Sequence, residues 1–424
     1  MLTLCLFLGL LLVGMPLAFC LLIAGLSYFA LAEYIPIVVG VQRIASASQS
    51  FPLLAVPFFI VAGQIMNKSG ITKRLIDFSN LLVAWISGGL AHVTIVLSAL
   101  MGGVSGSAIA DAAMQSRILG TAMTESGFSK GFSGAAIAVS ALITATIPPS
   151  IGLILYGFVG NVSIGQLFVA GIIPGILLTL VLMLTVYFLA KKRGYKPATT
   201  EKPTFKKIMS AMNASKWALL FPVILVVTIR FGIFTPSEAG AFAVVYALVV
   251  GWLVYGELTL ANVYKAFSDS VTDIGMIMLI ILCSGMIGYI FAYEQLPVSL
   301  AQGVADITQQ PLLVMLISLS LLLFVGMVME GTVTVLLLTP ILVPVVQSVG
   351  IDPVHFGILM MIIVTLGGTT PPVGVAMYTV CGILKCPTDE YVKEAMPFFA
   401  AVIGLVLLLA LFPQIVLLLP NLLF

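Results

Sequence analysis

Long apolar runs separated by short polar breaks organise this chain from end to end. A helix crossing about 30 Å of hydrocarbon needs about 20 residues. Apolar runs that meet or approach this length fall at 2–31, 52–66, 131–160, 166–190, 217–232, 239–255, 274–293, 354–384 and 396–423. Pro16 predicts a kink in the first of them. Two further regions, 88–120 and 311–346, fit a crossing poorly, because each holds two short apolar arms around a tip rich in Gly, Ser and Thr. Such arms predict re-entrant hairpins, whose tips are tolerated at membrane depth only where they are buried in protein or line a watery cavity. The mixed polar stretches at 33–50 and 256–273 read as amphipathic arms near the interface or as plain connecting loops.

The pattern occurs twice. MGGVSGSAIAD (101–111), GFSKGF (127–132) and TIPPSIGLILYG (146–157) are matched by VGMVMEGTVTV (325–335), GIDPVHFG (350–357) and TTPPVGVAMYT (369–379). Gly103 and Gly326, Gly127 and Gly350, and Pro148 and Pro371 are each 223 positions apart, and a one-residue deletion pairs Gly152 with Gly374 and Tyr156 with Tyr378. Broken apolar segments at corresponding places in two halves are the sequence pointer to a transporter's binding site. The same offset pairs 274–293 with the second span, whereas 217–232 has no full partner in the first half and points to a second subunit that supplies one.

Composition fixes the class independently. Apolar residues make up 61% of 424 and charged residues 8%, so most side chains must face lipid or other helices; ordinary globular domains carry about 25% charge. A net charge of +2 argues against a nucleic-acid partner. The five cysteines show no metal-ligand spacing, and the first apolar run is too long for a secretory signal and reads as a retained span. The segment 191–216 holds eight of the eighteen Lys and Arg residues and is therefore cytoplasmic. Counting outward places Lys68, Lys73, Arg74, Lys385 and Lys393 inside, and Glu238, Glu294, Asp306 and Asp352 outside, with Arg43 and Arg230 near the outer face, so the two hairpins enter from opposite faces. The expected fold is an all-α polytopic membrane protein built from inverted repeats with two re-entrant hairpins and two broken helices. Its expected parts are 1–66, scaffold; 67–190, the first transport half; 191–216, a cytoplasmic basic linker; 217–293, scaffold; and 294–424, the second transport half.

A helix interrupted in mid-membrane frees backbone carbonyls and half-helix ends; carbonyls and hydroxyls suit Na⁺, and helix N-termini attract carboxylates. The first tip offers Gly102, Gly103, Ser105, Gly106 and Ser107, with Asp111 beyond it, and the first break offers Thr144, Thr146, Pro148, Pro149 and Ser150. The second tip offers Gly326, Glu330, Gly331, Thr332 and Thr334, facing a break with Gly367, Gly368, Thr369, Thr370, Pro371, Pro372 and Gly374. Each proline pair lacks the donors that would continue a helix. Asp111 reads equally as ion-site support or as one member of a structural pair, and Arg117 either shares its face or reaches the cytoplasm. No catalytic constellation or nucleotide loop is present, so an enzyme is not expected and an ion gradient is the expected energy source.

The stretches GSAIADAAM, PPSIGLILYG, MEGTVTVLLLTPILVPV and GGTTPPVGVAMYT resemble the large membrane subunit of tripartite ATP-independent periplasmic (TRAP) transporters, over essentially the whole chain. The resemblance implies an elevator-type transporter of the ion transporter superfamily in a bacterial inner membrane, with the hairpins and broken helices moving as a block amid membrane lipid. It also implies a Na⁺ gradient, an organic-acid substrate of the sialic acid or C4-dicarboxylate class delivered by a periplasmic binding protein, and a separate small four-helix membrane subunit. Carried over by residue, the sodium positions are Gly103, Ser105, Gly106 and Ser107 with Thr146 and Pro148, then Gly326, Gly331 and Thr332 with Thr369 and Thr370. Ser150 and Glu330, with Pro149, Pro372 and Gly374, are the expected substrate contacts. The tips lack the Ser-Asn-Thr pattern of related dicarboxylate symporters, so carbonyl ligation is what carries over. The alternative is a self-sufficient sodium symporter or proton-coupled antiporter of the same architecture.

Overall fold

The computed structural model describes residues 2–32, 34–199 and 201–424. Met1, Glu33 and Thr200 lie outside it, and with them one position each of the first scaffold stretch, the 33–50 stretch and the basic linker. Every regular element among the described residues is a helix, and eight are long and apolar enough to cross a membrane. In hydrocarbon each backbone N–H and C=O needs an internal partner, which a helix supplies within one segment.

The two hairpins are present. Gly89–Gly102 and Ala108–Gln115 flank the first tip, and Pro311–Val328 and Gly331–Ser348 flank the second. The broken helices are Lys130–Thr146 with Ile151–Val159, bent by 47°, and Pro353–Gly367 with Val375–Leu384. Each tip meets the following broken helix at its break. The arms of the second hairpin are 18 residues each and count among the eight helices long enough to cross, which departs from the expectation that they are too short; those of the first, 14 and 8 residues, are shorter.

The repeat is legible in the backbone. Gly127 and Gly350, which precede the two broken helices, have φ of +90° and +81°. Both proline pairs, Pro148–Pro149 and Pro371–Pro372, are cis. Ser107 and Glu330 occupy equivalent places as N-caps of the second hairpin arms, each side chain accepting from the backbone N–H three residues on. The pairing of Gly152 with Gly374 does not hold, because the second break is longer. Gly152 lies inside Ile151–Val159, whereas Gly374 caps Val375–Leu384 with φ of +32°. Tyr156 and Tyr378 differ likewise: Tyr156 is buried, its hydroxyl donating to Pro353 O at 2.6 Å, and Tyr378 is exposed.

Several elements depart from the sequence reading. The first apolar run is two helices, Leu2–Leu12 and Leu17–Leu31, parted before Pro16 rather than merely kinked. The stretch 256–273 is mostly the front of one 34-residue helix, Leu260–Tyr293. Helix Ala55–Lys68 runs past the boundary at 66, and the last twelve residues of the linker belong to helix Phe205–Arg230. The charges of 205–216 hide Phe205, Ile208, Met209 and Met212 at helical spacing. Ile71–Val83 was hidden the same way, its Lys73, Arg74 and Asp77 masking the buried face of Ile71, Leu75 and Phe78. Leu296–Ile307 was also unanticipated.

Polar pairs tie corresponding ends together. Lys68 meets Asp269 at 2.5 Å and Arg74 meets Glu257 at 2.8 Å, while Arg193 pairs with Glu394. All of these lie at the end that the positive charges assign to the cytoplasm. At the opposite end the Tyr28 hydroxyl donates to Glu294. A separate apolar cluster of Leu21, Phe29, Ile35, Cys283, Met286, Ile287 and Ile290 joins the N-terminal helices to Leu260–Tyr293, apart from the main core.

Candidate functional site

The first tip and first break meet backbone to backbone. Helix Gly89–Gly102 ends as Val104 N and Ser105 N both donate to Met101 O. Gly106 then turns with φ of +60°, and a Cβ placed there would lie 2.3 Å from Pro149 O. Only glycine fits such an approach in that conformation. Ile151 N donates to Gly106 O at 3.5 Å, and Ser150 caps the restarted helix. Ser105 also packs against helix Ala55–Lys68, its Cα 3.4 Å from a Cβ built on Gly63. A Cβ on Gly103 would lie 2.1 Å from the ring of Pro222, so this glycine also lets helix Phe205–Arg230 approach the tip.

The second tip makes the corresponding contacts with different atoms. Val373 N and Gly374 N donate to Met327 O at 3.1 and 3.0 Å. Gly326 and Gly367 press together so closely that a Cβ on Gly367 would lie 2.8 Å from Gly326 Cα. The Glu330 carboxylate accepts from Val333 N at 3.2 Å and from Thr332 Oγ1 at 3.0 Å.

Eight helix ends therefore gather at these points. The C-termini of Gly89–Gly102, Lys130–Thr146, Pro311–Val328 and Pro353–Gly367 present carbonyls without intrahelical partners, and the N-termini at Ala108, Ile151, Gly331 and Val375 present N–H groups. Carbonyl ends favour cations and amide ends favour anions. The hydroxyls of Thr146, Thr369 and Thr370 donate to Leu142 O, Leu366 O and Gly367 O at 2.7–2.8 Å. Their protons are thus engaged within the helix, and the oxygen lone pairs remain for a cation.

Both tips and both breaks open onto one cavity of about 790 Å³. Of the residues expected at the site, Ser105, Gly106, Ser107, Ser150, Glu330, Gly331 and Thr332 line it. Thr146, Pro148, Pro149, Gly326, Thr369, Thr370, Pro372 and Gly374 stand outside its wall, in the tip and break backbone, where Thr146 and Thr369 are fully buried. The opposite wall comes from two other helices: Ile60, Gln64 and Asn67 of Ala55–Lys68, and Asp273, Met276, Ile277 and Ile280 of Leu260–Tyr293.

The sequence reading missed the polar residues of this wall, and it left Arg117, which also lines the cavity, undecided. The missed signal was spacing: Gln64 and Asn67, three apart, and Asp273, Met276, Ile277 and Ile280 each mark one helical face. Asp111 does not face the cavity. Its Oδ2 accepts from Ser98 Oγ at 2.9 Å, Thr144 Oγ1 at 2.5 Å and Gln115 Nε2 at 2.9 Å, binding the first hairpin to Lys130–Thr146.

Comparison with known proteins decides the family. Residues 4–415 match the family described as the tripartite ATP-independent periplasmic transporter, DctM component. The chain belongs to this family. It is 40% identical to the sialic acid TRAP transporter large permease protein SiaM of Vibrio cholerae, over 98% of this chain and 97% of that one. It is 32% identical to the C4-dicarboxylate TRAP transporter large permease protein DctM of Pseudomonas aeruginosa, over 89% and 88%. The YdaH transporter of Alcanivorax borkumensis shares the fold, with a TM-score of 0.64 at 13% identity, covering 88% of this chain and 87% of that one. With eight candidate spans, this DctM-family chain is a multi-pass protein of a bacterial inner membrane.

Proposed function

We propose that this large permease is a sodium-coupled importer of an organic acid, in the class to which sialic acid and C4-dicarboxylates belong, and that it works as an elevator. The observation that carries the reading is the convergence of four helix C-termini and four N-termini beside a single cavity. Carbonyls and threonine oxygens behind the wall suit Na⁺, while helix N-termini and hydroxyls on the wall suit a carboxylate-bearing, hydroxylated molecule. The sodium ligands would come from the tip and break positions named above, the substrate contacts from Ser150, Glu330 and the adjoining break residues. The relatives' printed substrates, sialic acid and C4-dicarboxylate, support the acid class.

The family's description as tripartite and periplasmic supports two partners, a small membrane subunit and a periplasmic binding protein that delivers the acid. Helix Phe205–Arg230 supports the first, since Leu220, Val223 and Val227 leave an apolar outer surface on it. Asn67 lies next to Lys68 at the cytoplasmic end, so the cavity is read as open inward. Bringing the same site to the outer face requires the hairpins and broken helices to slide against Ala55–Lys68 and Leu260–Tyr293.

Proteoliposomes holding this chain, its small subunit and a binding protein loaded with labelled sialic acid or succinate test the reading. Uptake is expected only with an inward Na⁺ gradient. Full-rate uptake on a proton gradient without Na⁺ would contradict sodium coupling, and robust uptake by the chain alone would favour the self-sufficient symporter.

A further inference from the structure

The cavity carries an imbalance of charge that the tips do not resolve. Its lining includes two acidic side chains, Asp273 on the scaffold wall and Glu330 at the second tip, and Arg117 is the one basic residue in that lining. Glu330 is committed to capping Gly331–Ser348. Arg117 has no such commitment: among the described residues the ion pairs involve Lys68, Arg74, Arg193 and Lys207, and the rings lying under cations belong to other side chains.

Its position is set by a backbone irregularity. The hairpin arm passes from Ala108–Gln115 into a π-type turn, Ser116–Gly120, before Thr121–Glu125. Single π turns re-aim the side chains they carry and occur often at functional sites. Ser107, Ala110, Ala113 and Arg117 all line the cavity along this arm, with alanines leaving open space between tip and guanidinium. Ten positions separate Ser107 from Arg117, roughly 15 Å of helix at about 1.5 Å per residue, and both line the same cavity.

We propose that Arg117 receives one anionic group of the substrate, while the helix N-termini and hydroxyls of the two tips hold the rest of the molecule, whether that bears hydroxyls or a second carboxylate. The proposal rests on the organic-acid reading above and assigns one charged group of that acid to one residue. An acid entering a cavity that already holds two carboxylates meets repulsion from the protein's other charged groups there, and Arg117 is the lining side chain of opposite sign. A guanidinium offers a planar fork of donors that matches a carboxylate with two parallel hydrogen bonds, which a lysine ammonium replaces only as a point charge.

The test is direct binding to the purified full chain in lipid nanodiscs with saturating Na⁺, using N-acetylneuraminate, its neutral methyl ester and succinate as probes. The wild type is expected to bind at least one of the acids. Arg117→Gln should weaken binding of that acid at least tenfold, Arg117→Lys should recover part of the loss, and the ester should bind wild type and Arg117→Gln alike. Thermal midpoints within a few degrees of one another would exclude misfolding, and Arg117→Lys serves if the glutamine variant is unstable. An unchanged dissociation constant in Arg117→Gln, or equal losses for acid and ester, would overturn the assignment and leave the organic-acid reading standing. If the wild type, alone and again with its small membrane subunit, binds neither acid but does bind the methyl ester, the assignment of an anionic group to Arg117 is overturned; if it binds none of the three probes in either form, the organic-acid reading fails as well.

Discussion

Replacing Gly106 with alanine should reduce uptake more than tenfold while leaving the chain folded in the membrane. The residue sits at φ of +60°, where a Cβ would lie 2.3 Å from Pro149 O and 3.3 Å from Ile151 N. The left-handed conformation alone costs a non-glycine residue roughly 1–2 kcal/mol. The clash adds a larger effect, because its partner is backbone held in the break and cannot rotate away. The tip must therefore lift off Pro149, losing the bond from Ile151 N and widening the space in which carbonyls from both segments face the cavity. Gly127→Ala is the control. Its φ is +90°, yet nothing lies within 4 Å of the added Cβ, so it carries similar strain without the clash. Uptake by Gly106→Ala close to that of Gly127→Ala would show that the close approach of tip to break is not needed for transport.

A disulfide between Gly63→Cys and Ser105→Cys should stop transport completely and reversibly. A Cβ on Gly63 would lie 3.7 Å from Ser105 Cβ, close to the roughly 3.8 Å separation typical of a disulfide. Gly63 belongs to helix Ala55–Lys68, which the proposed elevator keeps still, and Ser105 to the first tip, which it moves, so the bond would fix the two in the arrangement described here. Oxidation should abolish uptake, and reduction should return it to the level of the reduced double variant. Since Ser105 lines the cavity, the single Ser105→Cys variant sets that baseline. Unchanged uptake at high crosslinking yield would show that the two blocks do not move past one another.

What the sequence conveyed and what it concealed follow from the range of the interactions involved. The 223-position offset is written in local chemistry, namely glycines that need positive φ and proline pairs that cannot continue a helix, and both survive as backbone features at Gly127, Gly350, Pro148 and Pro371. The tips face the breaks because Gly106, Gly326 and Gly367 allow backbone approach that larger residues forbid. The polar side of the cavity was harder to see. Gln64 is an isolated polar position in an apolar helix, while Asn67 and Asp273 sit among polar neighbours such as Lys68 and Thr272, and the three acquire a shared meaning only when Ala55–Lys68 and Leu260–Tyr293 pack beside the tips. Arg117 was ambiguous for a related reason, since a π turn shifts the helical phase by which its face would be judged. Amphipathic helices such as Ile71–Val83 were missed because a search for spans discounts charged segments.

The central claim is that the cavity between the tips, the breaks and the scaffold is where substrate passes, and cysteine labelling at Ala113 tests it most directly. Ala113 lines the cavity between Ser107 and Arg117. In a background with the five native cysteines replaced and uptake retained, Ala113→Cys should react with a membrane-impermeant thiol reagent from the cytoplasmic side. Labelling should abolish uptake, and Na⁺ together with the transported acid should slow the reaction severalfold. A fully labelled Ala113→Cys protein that transports at the unlabelled rate would contradict the claim.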